Sequence, residues 1–111
     1  MSSNHTERFR SGETIFQEGE YGTKMYVVKE GEVELSVRGK IIGELGTGSI
    51  LGEMALIDRK PRSASARAKS RCELIPIDQE QFLALVRQNP SFSLDVMRVL
   101  AERLRSMDEK V

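Results

Sequence analysis

The chain has one cysteine, one histidine and no tryptophan among its 111 residues. A lone Cys72 closes no internal disulfide, so no disulfide framework holds this fold, and a single thiol suits a reducing compartment. It reads as a small buried hydrophobe in a strand. The sole histidine, His5, excludes a metal centre built from several histidines and leaves any serine or cysteine nucleophile without a credible base. Aromatic residues make up 5%, too few for a base-stacking platform. Charge of either sign is not in excess: 17 basic residues face 17 acidic ones, so no overall field draws in nucleic acid or an anionic membrane surface. No apolar run reaches membrane-spanning length, and residues 1–11 lack the apolar core of a signal peptide. Those eleven residues read as a flexible N-terminus.

What is present divides into two regimes. All nine glycines lie between Gly12 and Gly52, separating short strand-like runs. "TIF" precedes a turn at Glu18–Gly22; "KMYVVKEG" and "EVELSVRG" are split at Glu30–Gly31. Val33, Leu35 and Val37 alternate with Glu32, Glu34 and Ser36, the period of a half-buried strand. The acids of this run read as solvated. Arg38–Gly39–Lys40 reads as a tight turn. "IIGEL", "GSIL", "SASARA" and "CELIPI" complete a set of short strands of sandwich, jelly-roll or barrel type.

From Asp78 onward the pattern is helical. Asp78 with Gln81 forms a capping box, followed by an apolar face of Phe82, Leu83, Leu85 and Val86. Asn89–Pro90 breaks the chain, and proline suits the first turn of a second helix. There Met97, Leu100, Leu104, Met107 and Val111 are spaced as a heptad seam, off which Arg98, Glu102, Arg103 and Arg105 lie. Strands first and helices last predict an α+β domain over 12–111: a mainly β jelly roll over about 12–77, then C-terminal helices over about 78–110.

"GEMALIDRKPRSASA", Gly52 to Ala66, belongs to neither regime. Gly52 allows close backbone approach, and the amides of the short helix that "EMAL" can form are an anion site. Arg62 offers a planar fork of donors matching a phosphate. Pro61 stiffens its approach, Ser63 adds a hydroxyl, and Ala64 and Ala66 keep the backbone accessible. Glu53 repels a phosphate but accepts hydrogen bonds from sugar hydroxyls beside one. The constellation asks for a small ligand with an anion next to a hydroxyl. Residue types and spacing alone fit an exposed Glu53–Arg62 pair on a loop as readily, a pair contributing little. Arg59 and Lys60 read as part of an exposed face.

The ordered pattern Gly-Glu-x-Ala-Leu, a spacer, then Pro-Arg-Ser-Ala strongly resembles the phosphate-binding cassette of cyclic nucleotide-binding domains, of the catabolite-activator and protein-kinase-A-regulatory type. "GETIFQEGE", "MYVVKEGEVEL" and the terminal helices extend the resemblance over nearly the whole chain. Leu51 stands where many members carry Phe, another apolar residue. The resemblance implies a β-roll flanked by helices, with Arg62 on the cyclic phosphate and Ser63 and the Ala64 amide beside it. It places Glu53 on the ribose 2′-hydroxyl, and the amides around Gly52, Glu53, Met54 and Ala55 complete the cradle. Met107 and Asp108 occupy the positions that meet the adenine amino group in relatives; Met107 caps the base or serves the seam, and Asp108 accepts from an amino group or faces water. Many bacterial members continue into a helix-turn-helix, which this chain, ending at Val111, lacks.

The expectation is a non-enzymatic, cytoplasmic sensor of cyclic nucleotide, cAMP before cGMP, whose C-terminal helices shift on binding. It has no catalytic residue, metal or cofactor, and its partners are the nucleotide and a second copy in a weak homodimer through the last helix, with no nucleic acid or membrane. The alternative is a dimerisation or interaction module of the same fold that ignores nucleotide.

Overall fold

The computed structural model describes residues 5–109, with side chains described through Glu102. Eight strands form two antiparallel four-stranded sheets. They are β1 (Glu7–Phe9), β2 (Thr14–Phe16), β3 (Lys24–Glu30), β4 (Val33–Val37), β5 (Lys40–Leu45), β6 (Ile50–Leu51), β7 (Ser65–Ala68) and β8 (Cys72–Asp78). One sheet runs β1-β8-β3-β6, the other β2-β7-β4-β5. Apart from the β4–β5 hairpin, sequential strands therefore lie in opposite sheets, as in a jelly roll. A four-residue helix, α1 (Met54–Ile57), interrupts the roll between β6 and β7 and packs on β3.

The two inner faces close on Phe16, Tyr26, Val28, Val33, Leu51, Ala66, Ala68, Cys72 and Leu74, with Leu35 packed against them. Val33 and Leu35 point inward as their alternation predicts. Full burial of a side chain such as Leu74 contributes about 1.5–3 kcal/mol. Cys72 is buried, and that burial pushes its thiol up from the ordinary range. The β4–β5 hairpin turns at Arg38 and Gly39, at φ +53° and +79°. Two left-handed residues between Val37 and Lys40, which pair, match the twist of the flanking strands.

Two expectations change here. Residues 1–11 are not wholly a flexible N-terminus: Glu7–Phe9 form β1, registered on β8 with Phe9 opposite Cys72. Phe9 packs against the core, and Lys24 Nζ holds the Glu7 carboxylate at 3.1 Å. Glu34 is not solvated either. Its side chain is 13% exposed and meets Arg67 Nη2 at 3.2 Å, because neighbouring β7 carries Arg67 directly across from it.

The chain divides into two compact units, the roll up to Asp78 and the helices from Gln79 onward. In the second unit α2 (Gln79–Gln88) is followed by α3 (Pro90–Glu109). Pro90 takes the first helical position, and the Asn89 carbonyl accepts from the Phe92 amide at 3.0 Å. Phe82 and Phe92 meet edge to face, with centroids 5.9 Å apart. The more buried face of α3 carries Phe92, Val96, Val99 and Leu100, while Met97, the first residue of the expected seam, is 58% exposed. Leu104, Met107 and Val111 lie outside the described side chains. Among the described residues no helix is long and apolar enough to cross a membrane.

Candidate functional site

The segment from Gly52 to Ala64 builds one compact site on the roll. β6 ends at Leu51, and Gly52 follows at φ +75°. Glu53 occupies the N-cap position of α1 with its side chain fully buried. After α1 the chain passes Asp58, Arg59 and Lys60, all exposed, with Lys60 facing Asp58 at 3.8 Å. It returns to the roll at Arg62, whose amide donates to the Glu20 carbonyl at 2.7 Å and whose carbonyl accepts from the Gly19 amide at 2.8 Å. The Glu18–Gly22 turn thus clamps the Arg62 backbone.

Among the described residues the buried charged side chains are Glu53, at 0% exposure, and Arg62, at 8%. The exposed Glu–Arg pair on a loop is therefore excluded. The Arg62 guanidinium lies 4.1 Å over the Phe16 ring. Its Nη1 donates to the Gly52 carbonyl at 3.0 Å and its Nη2 to the Lys24 carbonyl at 2.8 Å. Its Nε is buried and makes no hydrogen bond among the described residues. Burial pushes the guanidinium pKa down, against the opposing charges of Tyr26, Glu20 and Glu53. Two glycines make room for it. A Cβ at Gly22 would fall 2.2 Å from Arg62 Nη2, and one at Gly52 would fall 2.4 Å from Nη1.

The other expected ligand contacts are placed unevenly. Ser63 is exposed and Ala64 half-buried, in the bend leading into β7. Met54 is half-buried and Ala55 buried at the start of α1. The expected free amides are only partly free: Ala55 N–H donates to the Gly52 carbonyl at 3.2 Å, and Leu56 N–H to the Glu53 carbonyl at 3.0 Å. The helix is so short that its turns close on their own cap. Met107 and Asp108 lie in α3 outside the described side chains. Sequence reasoning missed Phe16, Gly22 and the Lys24 carbonyl as supports of Arg62. Phe16 stands inside the quoted "GETIFQEGE", but nothing local marks an aromatic ring as the floor beneath an arginine.

Chemically, the site combines a buried cation carrying unused N–H donors with a buried carboxylate at the other end of one loop. It can hold an anion and a neighbouring hydroxyl.

The sequence matches the family model of the cyclic nucleotide-binding domain over residues 6–89, and the chain belongs to that family. It is similar to the cyclic AMP receptor protein of Thermus thermophilus, 36% identical over 105 residues that span 90% of this chain and 49% of the relative. It is also 36% identical to a cGMP-dependent protein kinase of Plasmodium berghei over 107 residues, 96% of this chain and 12% of the relative. The crystal structure of the Thermus thermophilus catabolite activator protein superposes with a TM-score of 0.86 at 35% identity, over 96% of this chain and 52% of that one. The chain thus spans about half the length, or less, of these relatives.

Proposed function

We propose that this chain is a non-enzymatic, cytoplasmic sensor of cyclic nucleotide that takes cAMP in preference to cGMP and shifts its C-terminal helices on binding. The observation that carries the reading is the buried pair, Glu53 and Arg62, at the two ends of the cassette, with an Arg62 Nε–H lacking an acceptor. A buried donor left without a partner costs about 1–3 kcal/mol, which a phosphate oxygen would recover. Arg62, Ser63 and the Ala64 amide hold the phosphate, Glu53 the ribose hydroxyl, and Gly52, Met54 and Ala55 the cradle. Met107 and Asp108 are assigned to the base by the family resemblance alone. Relatives named for cyclic AMP and for cGMP both align here, so the preference is decided by isothermal titration with the two nucleotides side by side. Tighter cAMP binding supports the reading; tighter cGMP binding reverses the preference. Failure of both supports the second reading, a nucleotide-independent interaction module, which the exposed Leu94 and Met97 of α3 favour.

The same exposed residues underlie a proposed weak two-fold dimer through α3, altered by cAMP. Sedimentation is expected to show concentration-dependent association that changes with saturating cAMP and is lost in Leu104→Glu. A wild type that stays monomeric at high concentration in both conditions refutes the dimer.

Gly22→Ala tests the seat of the guanidinium. The added Cβ overlaps Nη2 and pushes the side chain off Phe16, and cAMP affinity is expected to fall on the order of tenfold. Gly46→Ala, where a Cβ meets nothing within 4 Å, is expected to leave affinity unchanged. Equal affinities for wild type and both variants would show that the guanidinium tolerates displacement.

A further inference from the structure

A second basic site lies at the opposite end of β7 from Arg62. The β1–β8 ladder pairs Arg8 with Glu73 and Phe9 with Cys72, and Arg10 and Arg71 are the residues just beyond its end on the two chains. Arg8, Arg10 and Arg71, with Phe9, Ser11 and Glu13, line a hollow of about 420 Å³. Arg62 precedes β7 and Arg71 follows it. A four-residue strand advances about 13 Å, which separates this hollow from the cassette.

The arginines outnumber their acids. Arg8 shares Glu73 with Lys29, at 3.5 and 3.9 Å. Glu13 spends its Oε1 on the Arg10 backbone amide at 2.6 Å. Neither the Arg10 nor the Arg71 guanidinium has an ion-pair partner among the described residues. Two like charges lining one hollow repel each other, a cost that an anion between them would offset. The turn that carries Arg10 is also pinned. Glu13 N–H donates to the Arg10 carbonyl at 3.0 Å, Gly12 N–H to the Ala68 carbonyl at 2.7 Å, and the Ser11 hydroxyl to the Lys69 carbonyl at 2.9 Å. A turn fixed in this way presents its arginines with little ordering left to do on binding.

We propose that this hollow binds a dianionic phosphate, free or as the phosphate of a small monoester, independently of the nucleotide cassette. Planar guanidinium forks match phosphate oxygens two at a time. With Glu73 shared between Arg8 and Lys29 and Glu13 engaged by the Arg10 amide, the Arg10 and Arg71 guanidinia are left to suit a doubly charged group better than a singly charged diester.

The test is residue-resolved NMR of the full chain titrated with inorganic phosphate, against sodium chloride at matched ionic strength, with glycerol phosphate as the monoester arm. Saturable shifts are expected at Ser11, Gly12 and Arg71, separately from any at Gly52, Ala55 and Ala64. Arg10→Gln with Arg71→Gln is expected to weaken binding at the hollow by about tenfold or more. Without phosphate this double variant is expected to melt no lower than wild type, because it relieves a repulsion. A stronger response to glycerol phosphate than to phosphate assigns the hollow to monoesters, and the reverse assigns it to the free ion. Shifts confined to the cassette, shifts reproduced by chloride, binding unchanged in the double variant, or a variant that melts lower without phosphate would each overturn the proposal.

Discussion

Arg62→Ala is expected to abolish measurable cAMP binding while circular dichroism still reports a folded β-roll. The buried guanidinium is the cation placed for the phosphate, and truncating one partner of a buried charge pair costs about 2–5 kcal/mol, roughly thirty-fold to several thousand-fold in affinity. The fold survives for a separate reason. The substitution strips the Gly52 and Lys24 carbonyls of their donors, yet it also removes a desolvated cation and an Nε–H with no acceptor. These effects oppose one another, and the core around Leu74 and Val33 is untouched. Arg62→Lys separates charge from geometry. Lysine keeps the charge but not the planar fork, so its affinity is expected between those of wild type and alanine. Titration calorimetry of the three proteins decides; near-native affinity in the alanine variant would remove Arg62 from the site.

The second large effect is expected at Glu53, and its signature is a difference between ligands. Glu53→Ala should weaken cAMP strongly, by about 1.5–3 kcal/mol for a hydrogen bond to a charged group, and weaken 2′-deoxy-cAMP much less. The deoxy ligand lacks the hydroxyl that Glu53 is proposed to accept from. Because Glu53 is fully buried, alanine also leaves a cavity. Glu53→Gln controls for this, keeping the shape and removing the charge. Equal losses for the two ligands in both variants would assign Glu53 a purely structural role.

Much of this site was legible before any coordinates. Glycine, glutamate, proline and arginine occur in an order that few loops share, and the carboxylate and guanidinium are suited to different parts of one ligand. What the loop could not reveal was burial. The same residues spaced the same way fit an exposed ion pair, and only the roll's closure placed Glu53 at 0% and Arg62 at 8% exposure. The amides illustrate the reverse case. A short helix start reads as a row of free donors, yet two of them close onto the Gly52 and Glu53 carbonyls.

The sequence by itself determined what depends on near neighbours along the chain: alternating strands, the left-handed Arg38–Gly39 turn, the proline-started α3, and the order of cassette residues. Short-range sterics and local hydrogen bonds write these into composition and spacing. The tertiary structure alone decided what depends on residues far apart. It made Glu7–Phe9 a strand, because three residues with charges among them become a strand only when β8 lies alongside. Of the two seam residues with described side chains, it left Met97 exposed and placed Leu100 on the more buried face of α3. It slid Phe16 beneath Arg62, and it brought Arg10 and Arg71 to the wall of one hollow. Each of these is a meeting of segments distant in sequence, produced by sheet pairing and packing, and no local pattern carries the information that two such segments will meet.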